Sequence, residues 1–469
     1  MAQALAVRTA HMASNEREYG ETYRELRWLD ADTAPRAESA RQEAIAAWGD
    51  GVTWACGGTK PHYGPLSPGC AHCVAGTWSC LFVNGVCNAR CFFCPTAQDE
   101  CGEPTTGQIE FARPADYTDY LAKFGFAGAS LSGGEPLLTL PRTLEYLRTI
   151  RARLGDGVHL WLYTNGLLAT KEALQALAEA GLNEIRFNLH ASGYQLEPLR
   201  WAADCLPTVT VETPAVPEEE ERMRGLLPVL ADLGVAHVNL HDVRMTPHNV
   251  PRILKRNYTC LHGPRVRILE SELAALRLLG HAAREQLSLG VQYCCFPYKN
   301  PYQTLASRRR WSAFVMRPTE TLTETGAIRR CAVEAEPDYI ASLVEGWEGA
   351  GRPTIAWSVQ GRRRNAVHVV PELLRSVDFT RAKVTVSYSS AVTVAVPSYR
   401  FLPMKVEVNP NLELTVERRP LGRSQRLDAG QLAAFLQLAG VDAALPGTCS
   451  AVNEMLPFEQ LSTGLPDYY

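Results

Sequence analysis

Residues Cys87-Asn88-Ala89-Arg90-Cys91-Phe92-Phe93-Cys94-Pro95 constrain this chain more than any other stretch. Three thiols sit four and three residues apart on one short loop. Thiolates are soft ligands and select zinc, copper(I) or iron–sulfur clusters. A [4Fe–4S] cube is normally held by one cysteine at each of four irons. Three cysteines without a fourth at matching spacing would leave one iron open to chelate a small molecule. The stretch before the loop, Trp78 to Val86, carries no charge and reads as a buried strand. The loop is therefore expected at the C-terminal end of a strand, where α/β barrels keep their chemistry. Two plainer readings compete. The thiols are part of a zinc site, which wants four ligands, or they are redox thiols.

A second feature follows downstream. Ala129-Ser130-Leu131-Ser132-Gly133-Gly134-Glu135-Pro136 is another apolar strand, running into a glycine pair and a carboxylate. Glycines let backbone groups approach a ligand closely. Such an edge suits an ammonium group. With both features in this order, the chain resembles the radical SAM superfamily, whose signature is C-x3-C-x2-C followed by a GGE segment. The resemblance implies a partial (β/α)6 barrel and a [4Fe–4S] cluster on Cys87, Cys91 and Cys94. It implies that S-adenosylmethionine chelates the open iron, with Phe93 near the adenine and Gly133, Gly134 and Glu135 near the methionine amino group. Reductive cleavage would then give methionine and a 5′-deoxyadenosyl radical that takes hydrogen from a substrate. Further segments, Gly64 to Cys73, Leu162 to Gly166, Asn239 to Asp242 and Tyr293 to Cys295, resemble a group described only as related to pyruvate formate-lyase activating enzyme.

Fourteen cysteines in a chain expected to be cytoplasmic do not read as disulfides. Eight of them, from Cys56 to Cys101, crowd into 46 residues, a density that fits metal ligation. Cys70 and Cys73 form a C-x2-C hook used for zinc and for iron–sulfur clusters. Cys294 and Cys295 are the expected partners, with Cys56 and Cys80 next, because the chain after a sixth strand can return beside the chain before the first. The site would hold a second cluster or zinc. Cys205, Cys260, Cys331 and Cys449 are isolated and read as buried structural thiols.

Strands are expected near 80–86, 128–132, 158–164, 184–189, 207–213 and 236–241, and helices near 115–125, 140–153, 170–180, 194–204 and 217–233. That alternation argues for parallel strands with helical crossovers. The fold class is α/β, a partial barrel with a Cys-rich N-terminal loop and a C-terminal α+β domain. The expected divisions are 1–76, a helical and Cys-rich extension; 77–245, the barrel; 246–345, a helical and basic connection that leaves the barrel; and 346–469, the C-terminal domain. Residues 50–76 read as irregular loop.

Polar residues end the apolar strands, as ligand contacts in a barrel do. Thr164, Asn165 and Asn188 are candidates for cofactor binding, and Glu212, His190 and His241 for catalysis. Asn and Asp also favour turns and caps, and a lone His is most safely a hydrogen-bonded neutral imidazole. Six arginines between 305 and 330 read mainly as a solvated face, with an acidic substrate as the sharper alternative.

The net charge of −3 gives no case for a nucleic-acid or membrane surface. No uncharged run reaches membrane-spanning length. The N-terminal apolar run, broken at Arg8, is too short for a signal-peptide core. A radical enzyme would need a reducing partner such as flavodoxin or ferredoxin. Its substrate is unnamed, with a weak preference for a peptide or natural-product intermediate. Cobalamin-dependent C-methylation is an alternative, although no D-x-H-x-x-G motif is present. A non-catalytic iron–sulfur scaffold or electron carrier is another, but would not need the glycine edge and Glu135.

Overall fold

The computed structural model describes residues 2–398, 400, 401, 403–443 and 452–469. Cys449 lies outside them. The chain divides into two compact units, one of residues 1–303 and 463–469 and one of residues 304–462. The division falls at 303/304, where the sequence suggested boundaries at 76, 245 and 345.

In the first unit, α1 (Ala2–Tyr19) and α2 (Ala34–Ala46) precede a hairpin of β1 (Val52–Ala55) and β2 (Lys60–Tyr63) and a short helix, α3 (Pro68–Ala75). The parallel strands follow: β3 (Trp78–Val86), β4 (Gly128–Gly133), β5 (His159–Thr164), β6 (Glu184–Phe187), β7 (Thr208–Pro214), β8 (His237–His241) and β9 (Gly290–Cys294). Between them run α4 (Pro114–Lys123), α5 (Leu140–Leu154), α6 (Lys171–Glu179), α7 (Glu197–Ala203), α8 (Glu220–Asp232) and α9 (Leu269–Arg284). The helix starts are written locally. Pro114 opens α4 after an extended Arg113, and the Thr170 hydroxyl accepts the Ala173 N–H at the start of α6. Leu81, Leu131, Leu162, Ile185, Val211, Val238, Leu240 and Val291 are fully buried along the strands. Near-continuous apolar runs are what a sheet covered on both faces requires.

Strand order is β1-β2-β9-β8-β7-β6-β5-β4-β3, with every pair from β9 to β3 parallel. Each strand lies beside its sequence neighbour, the winding of a barrel.

Two expectations need correction. Residues 246–300 do not leave the barrel: after α9 the chain returns as β9, parallel to β8, with His241 in register with Cys294. β9 was missed because it is only five residues long and its cysteines read as a ligand point, and its pairing partner is far away in sequence. Residues 50–76 are not an irregular loop. They hold the hairpin, whose β2 pairs antiparallel with β9, and α3. The α3 signals were present in sequence. Ser67 caps the Cys70 N–H, Pro68 occupies the first turn, and Gly76 closes the helix at φ 69°.

α3 packs on the starting ends of β4, β5 and β6. The Gly69 N–H donates to the Glu184 carboxylate at 2.9 Å, and the His72 ring stacks with that of His159.

The second unit contains α10 (Thr304–Val315), β10 (Ile328–Glu334), α11 (Pro337–Gly349), β11 (Trp357–Gln360), β12 (Ala366–Val369), β13 (Lys383–Val394), β14 (Pro403–Asn409) and β15 (Leu412–Leu427). Its sheet is antiparallel in the order β11-β12-β10-β13-β15-β14. Tyr339, Trp347, Val367, Val384, Val386 and Phe435 meet in its core. Part of the arginine run is interior, not solvated: Arg329 is buried and ion-pairs with Glu459 at 2.7 Å. Cys331 and, in the first unit, Cys260 are buried thiols, while the half-buried Cys205 donates to the Trp201 carbonyl. No described helix is long and apolar enough to cross a membrane.

Candidate active site

The cysteine loop leaves the end of β3. The Cys87 N–H donates to the Gln98 carbonyl, and the Cys94 N–H donates to the Cys91 carbonyl at 3.2 Å. That bond makes a tight turn between the second and third thiols. The Cys87 sulfur accepts from the Ala89 N–H at 3.4 Å and from the Asn165 amide at 3.5 Å. Burial, then the neighbouring Cys94 and Cys87 thiols, push Cys91 up to about 12. Burial raises Cys94 as well.

The glycine pair has a different first task from the one its sequence suggested. A Cβ at Gly133 would overlap the Asn84 carbonyl, and one at Gly134 would overlap that of Val86. Gly133 also has φ 136°. The Gly134 N–H donates to Asn84 O at 3.1 Å and the Glu135 N–H to Val86 O at 2.7 Å. The glycines let the exit of β4 cross directly over the last residues of β3, where the cysteine loop begins.

Glu135 is fully buried. Its carboxylate accepts from the Leu137 N–H, the Thr164 hydroxyl and the Asn165 N–H at 3.0, 2.8 and 2.7 Å. Burial raises its proton affinity, and these three donors oppose that rise. Asn165 reaches onward to the Asn88 side chain at 2.7 Å. Glu135, Thr164, Asn165 and Cys87 thus form one connected assembly across the ends of β3, β4 and β5.

Phe93 and His190 also meet. Their ring centres are 5.2 Å apart, and Phe92 stands 5.6 Å from the same imidazole. Desolvation lowers the His190 pKa, which favours the neutral ring. Asn188 accepts the Ala191 N–H at 3.2 Å, the turn chemistry common for Asn.

Glu212 and His241 stand apart from that group, on the neighbouring strands β7 and β8. Glu212, Asn239 and Gln292 are level across β7, β8 and β9, and His241 is level with Cys294. Glu212 accepts from Arg186 at 3.1 Å and from the Asn239 amide at 2.6 Å. Burial, then Lys299, hold His241 down at about 4.

Three residues after β8 hold the cysteine loop and were not singled out in the sequence. Asn249 donates to Phe93 O at 3.0 Å, Thr246 donates to Pro95 O at 2.9 Å, and Arg252 approaches the Cys91 and Cys94 carbonyls. Nothing local marks them, since their partners lie about 150 residues away.

Cys294, Cys70, Cys73 and Cys295 all act on the charge of the buried Lys60. Cys295 is fully buried, and its thiol donates to the Thr59 carbonyl at 3.0 Å. Adjacent residues of an extended segment face opposite ways.

The family model of the radical SAM superfamily matches residues 81–203, which include the three thiols, Gly133-Gly134-Glu135 and Thr164-Asn165. Residues 81–203 form a radical SAM domain. Radical SAM proteins use a [4Fe–4S] cluster and S-adenosylmethionine. The donor set fits that cluster: three thiols share one loop, and one sulfur already accepts two N–H groups. Among the described residues no three His, Cys, Asp or Glu side chains converge on a single ion.

A protein of Methanocaldococcus jannaschii named for glycyl-radical enzyme activation is 26% identical over 284 residues, 58% of this chain and 74% of that one. The GTP 3′,8-cyclase of Aquifex aeolicus is 36% identical over 109 residues, 22% of this chain and 32% of the cyclase. Among solved structures, Streptococcus suis SuiB bound to S-adenosylmethionine overlaps with a TM-score of 0.31 at 14% identity, over 38% of this chain and 46% of that one. The chain therefore spans about a third of the cyclase and less than half of SuiB.

Proposed function

We propose that this radical SAM enzyme holds its [4Fe–4S] cluster on Cys87, Cys91 and Cys94, and abstracts hydrogen from a protein or peptide substrate. The observation that carries the assignment is the connected assembly from Glu135 through Asn165 to the Cys87 sulfur. When bound, the cluster would deliver an electron to S-adenosylmethionine, releasing methionine and the hydrogen-abstracting 5′-deoxyadenosyl group. The chain's own residues orient and shield. Asn165 and the Ala89 N–H stabilise negative charge on the Cys87 sulfur. Phe92, Phe93 and neutral His190 pack their rings together beside the loop, where they would line the adenine side of the cofactor. Glu212 and His241 offer an acceptor and a neutral imidazole to a substrate at the ends of β7 and β8. A macromolecular substrate is supported by the relative named for glycyl-radical enzyme activation. Flavodoxin or ferredoxin would supply the electron.

The test is turnover of S-adenosylmethionine by the reconstituted protein with dithionite. The expected product is 5′-deoxyadenosine, and the combined change of Cys87, Cys91 and Cys94 to Ala removes it. Undiminished cleavage in that variant sinks the assignment.

A further inference from the structure

A second group of thiols occupies the first unit away from the cysteine loop. The pairing of β2 with β9 brings the chain before the barrel beside its last strand. Continuing the register from His62 opposite Gln292 sets Lys60 opposite Cys294. α3 supplies Cys70 and Cys73, three residues apart and so on one face of the helix. Lys60 is 1% exposed and lies over the Tyr298 ring at 4.3 Å. The charges acting most strongly on its ammonium come from thiols, and no carboxylate is among them. Cys56 lies on the turn between β1 and β2, where its carbonyl accepts the Thr59 N–H at 3.2 Å, one residue before Lys60.

The hydrogen bonds sort these sulfurs. Cys70 accepts from the Gln292 amide at 2.7 Å and from the Asn239 amide at 3.3 Å. Cys73 accepts from the Gln303 amide at 3.5 Å and meets the Tyr298 hydroxyl at 3.1 Å. Donors converging on a sulfur suit a thiolate, and the Cys87 sulfur is served in the same way. Cys295 is the opposite case, a thiol that donates to a carbonyl. A buried thiolate needs a compensating cation, and a buried ammonium needs an anion. Ligation supplies the first and Lys60 answers the second. An all-thiolate ligand set is one that iron–sulfur clusters take.

We propose that Cys56, Cys70, Cys73 and Cys294 hold a second iron–sulfur cluster, with Lys60 as its buried counter-charge and Cys295 outside the ligand set. This rests on the thiol arrangement and not on cleavage of S-adenosylmethionine, so the two fail separately.

The experiment uses the full chain, purified without oxygen, with Cys87, Cys91 and Cys94 changed to Ala. Iron and acid-labile sulfide should remain in equal amounts, with charge-transfer absorption near that of a thiolate-bound cluster. Adding Cys73→Ser and Cys294→Ser should remove at least nine-tenths of both, while adding Cys295→Ser should leave them unchanged. Circular dichroism checks that each variant is folded, and Cys73→Ser alone serves if the pair does not fold. Zinc without sulfide, or no metal in folded protein, overturns the proposal. So does iron that survives loss of Cys73 and Cys294.

Discussion

The carboxylate of Glu135 accepts the backbone N–H of Asn165 at 2.7 Å, tying the exit of β4 to the exit of β5. Asn165 is also the residue whose amide reaches the first thiol of the cysteine loop. Glu135 is therefore linked to the cysteine loop through Asn165. Its second oxygen is occupied too, by Leu137 and Thr164.

That arrangement makes Glu135→Gln a severe change. Each carboxylate oxygen faces a backbone N–H, so either orientation of a glutamine amide points an NH2 group at a donor. One buried donor is then unsatisfied, at a cost of about 1–3 kcal/mol. Urea denaturation of the metal-free protein should show this loss. A stability equal to that of the parent, with weaker S-adenosylmethionine binding alone, would instead place Glu135 on the ligand.

Gly134→Ala should disturb the cluster loop before it disturbs any ligand. The added Cβ meets the Val86 carbonyl, which is backbone and cannot swing aside. Overpacking of this kind costs about 1–3 kcal/mol, and the strain falls one residue before Cys87. Iron and sulfide at the first cluster should drop severalfold after reconstitution. Normal iron content with normal 5′-deoxyadenosine formation would show that the crossing tolerates a side chain.

His241 should make stability depend on pH in acid. Its pKa is held at about 4 in the folded chain, against 6.5 in the unfolded reference. Between these values the unfolded chain binds more protons, so stability is complete above about 6.5 and is lost as pH falls toward 4. A shift of that size corresponds to a loss of the order of 3 kcal/mol. His241→Asn should flatten the urea midpoint across that window relative to the parent. An unchanged slope would mean that His241 is solvated.

The expected strands and their observed spans differ by a residue or two from β3 to β8 because each is a short apolar run closed by a polar turn, a signal carried within the run. In the C-terminal unit Lys383–Val394 form the single strand β13. Ser389 and Ser390, residues common in turns, are buried within it, where β15 pairs with both and β10 with Ser389.

Sequence alone determined the cysteine loop, the order of the six strands and the polar residues at their ends. Those are local: spacing on one loop, periodicity within one strand, and chemistry at one strand end. Tertiary structure decided what crosses from one segment to another. It returned β9 to the sheet, set Lys60 opposite Cys294, bonded the Cys295 thiol to the Thr59 carbonyl, and brought Asn249 to the Phe93 carbonyl. It also made Gly133 and Gly134 a strand crossing and Glu135 a brace. None of these has a local sequence signature, because each depends on the close approach of backbones far apart in the chain, and side-chain type records only which residues can tolerate such an approach.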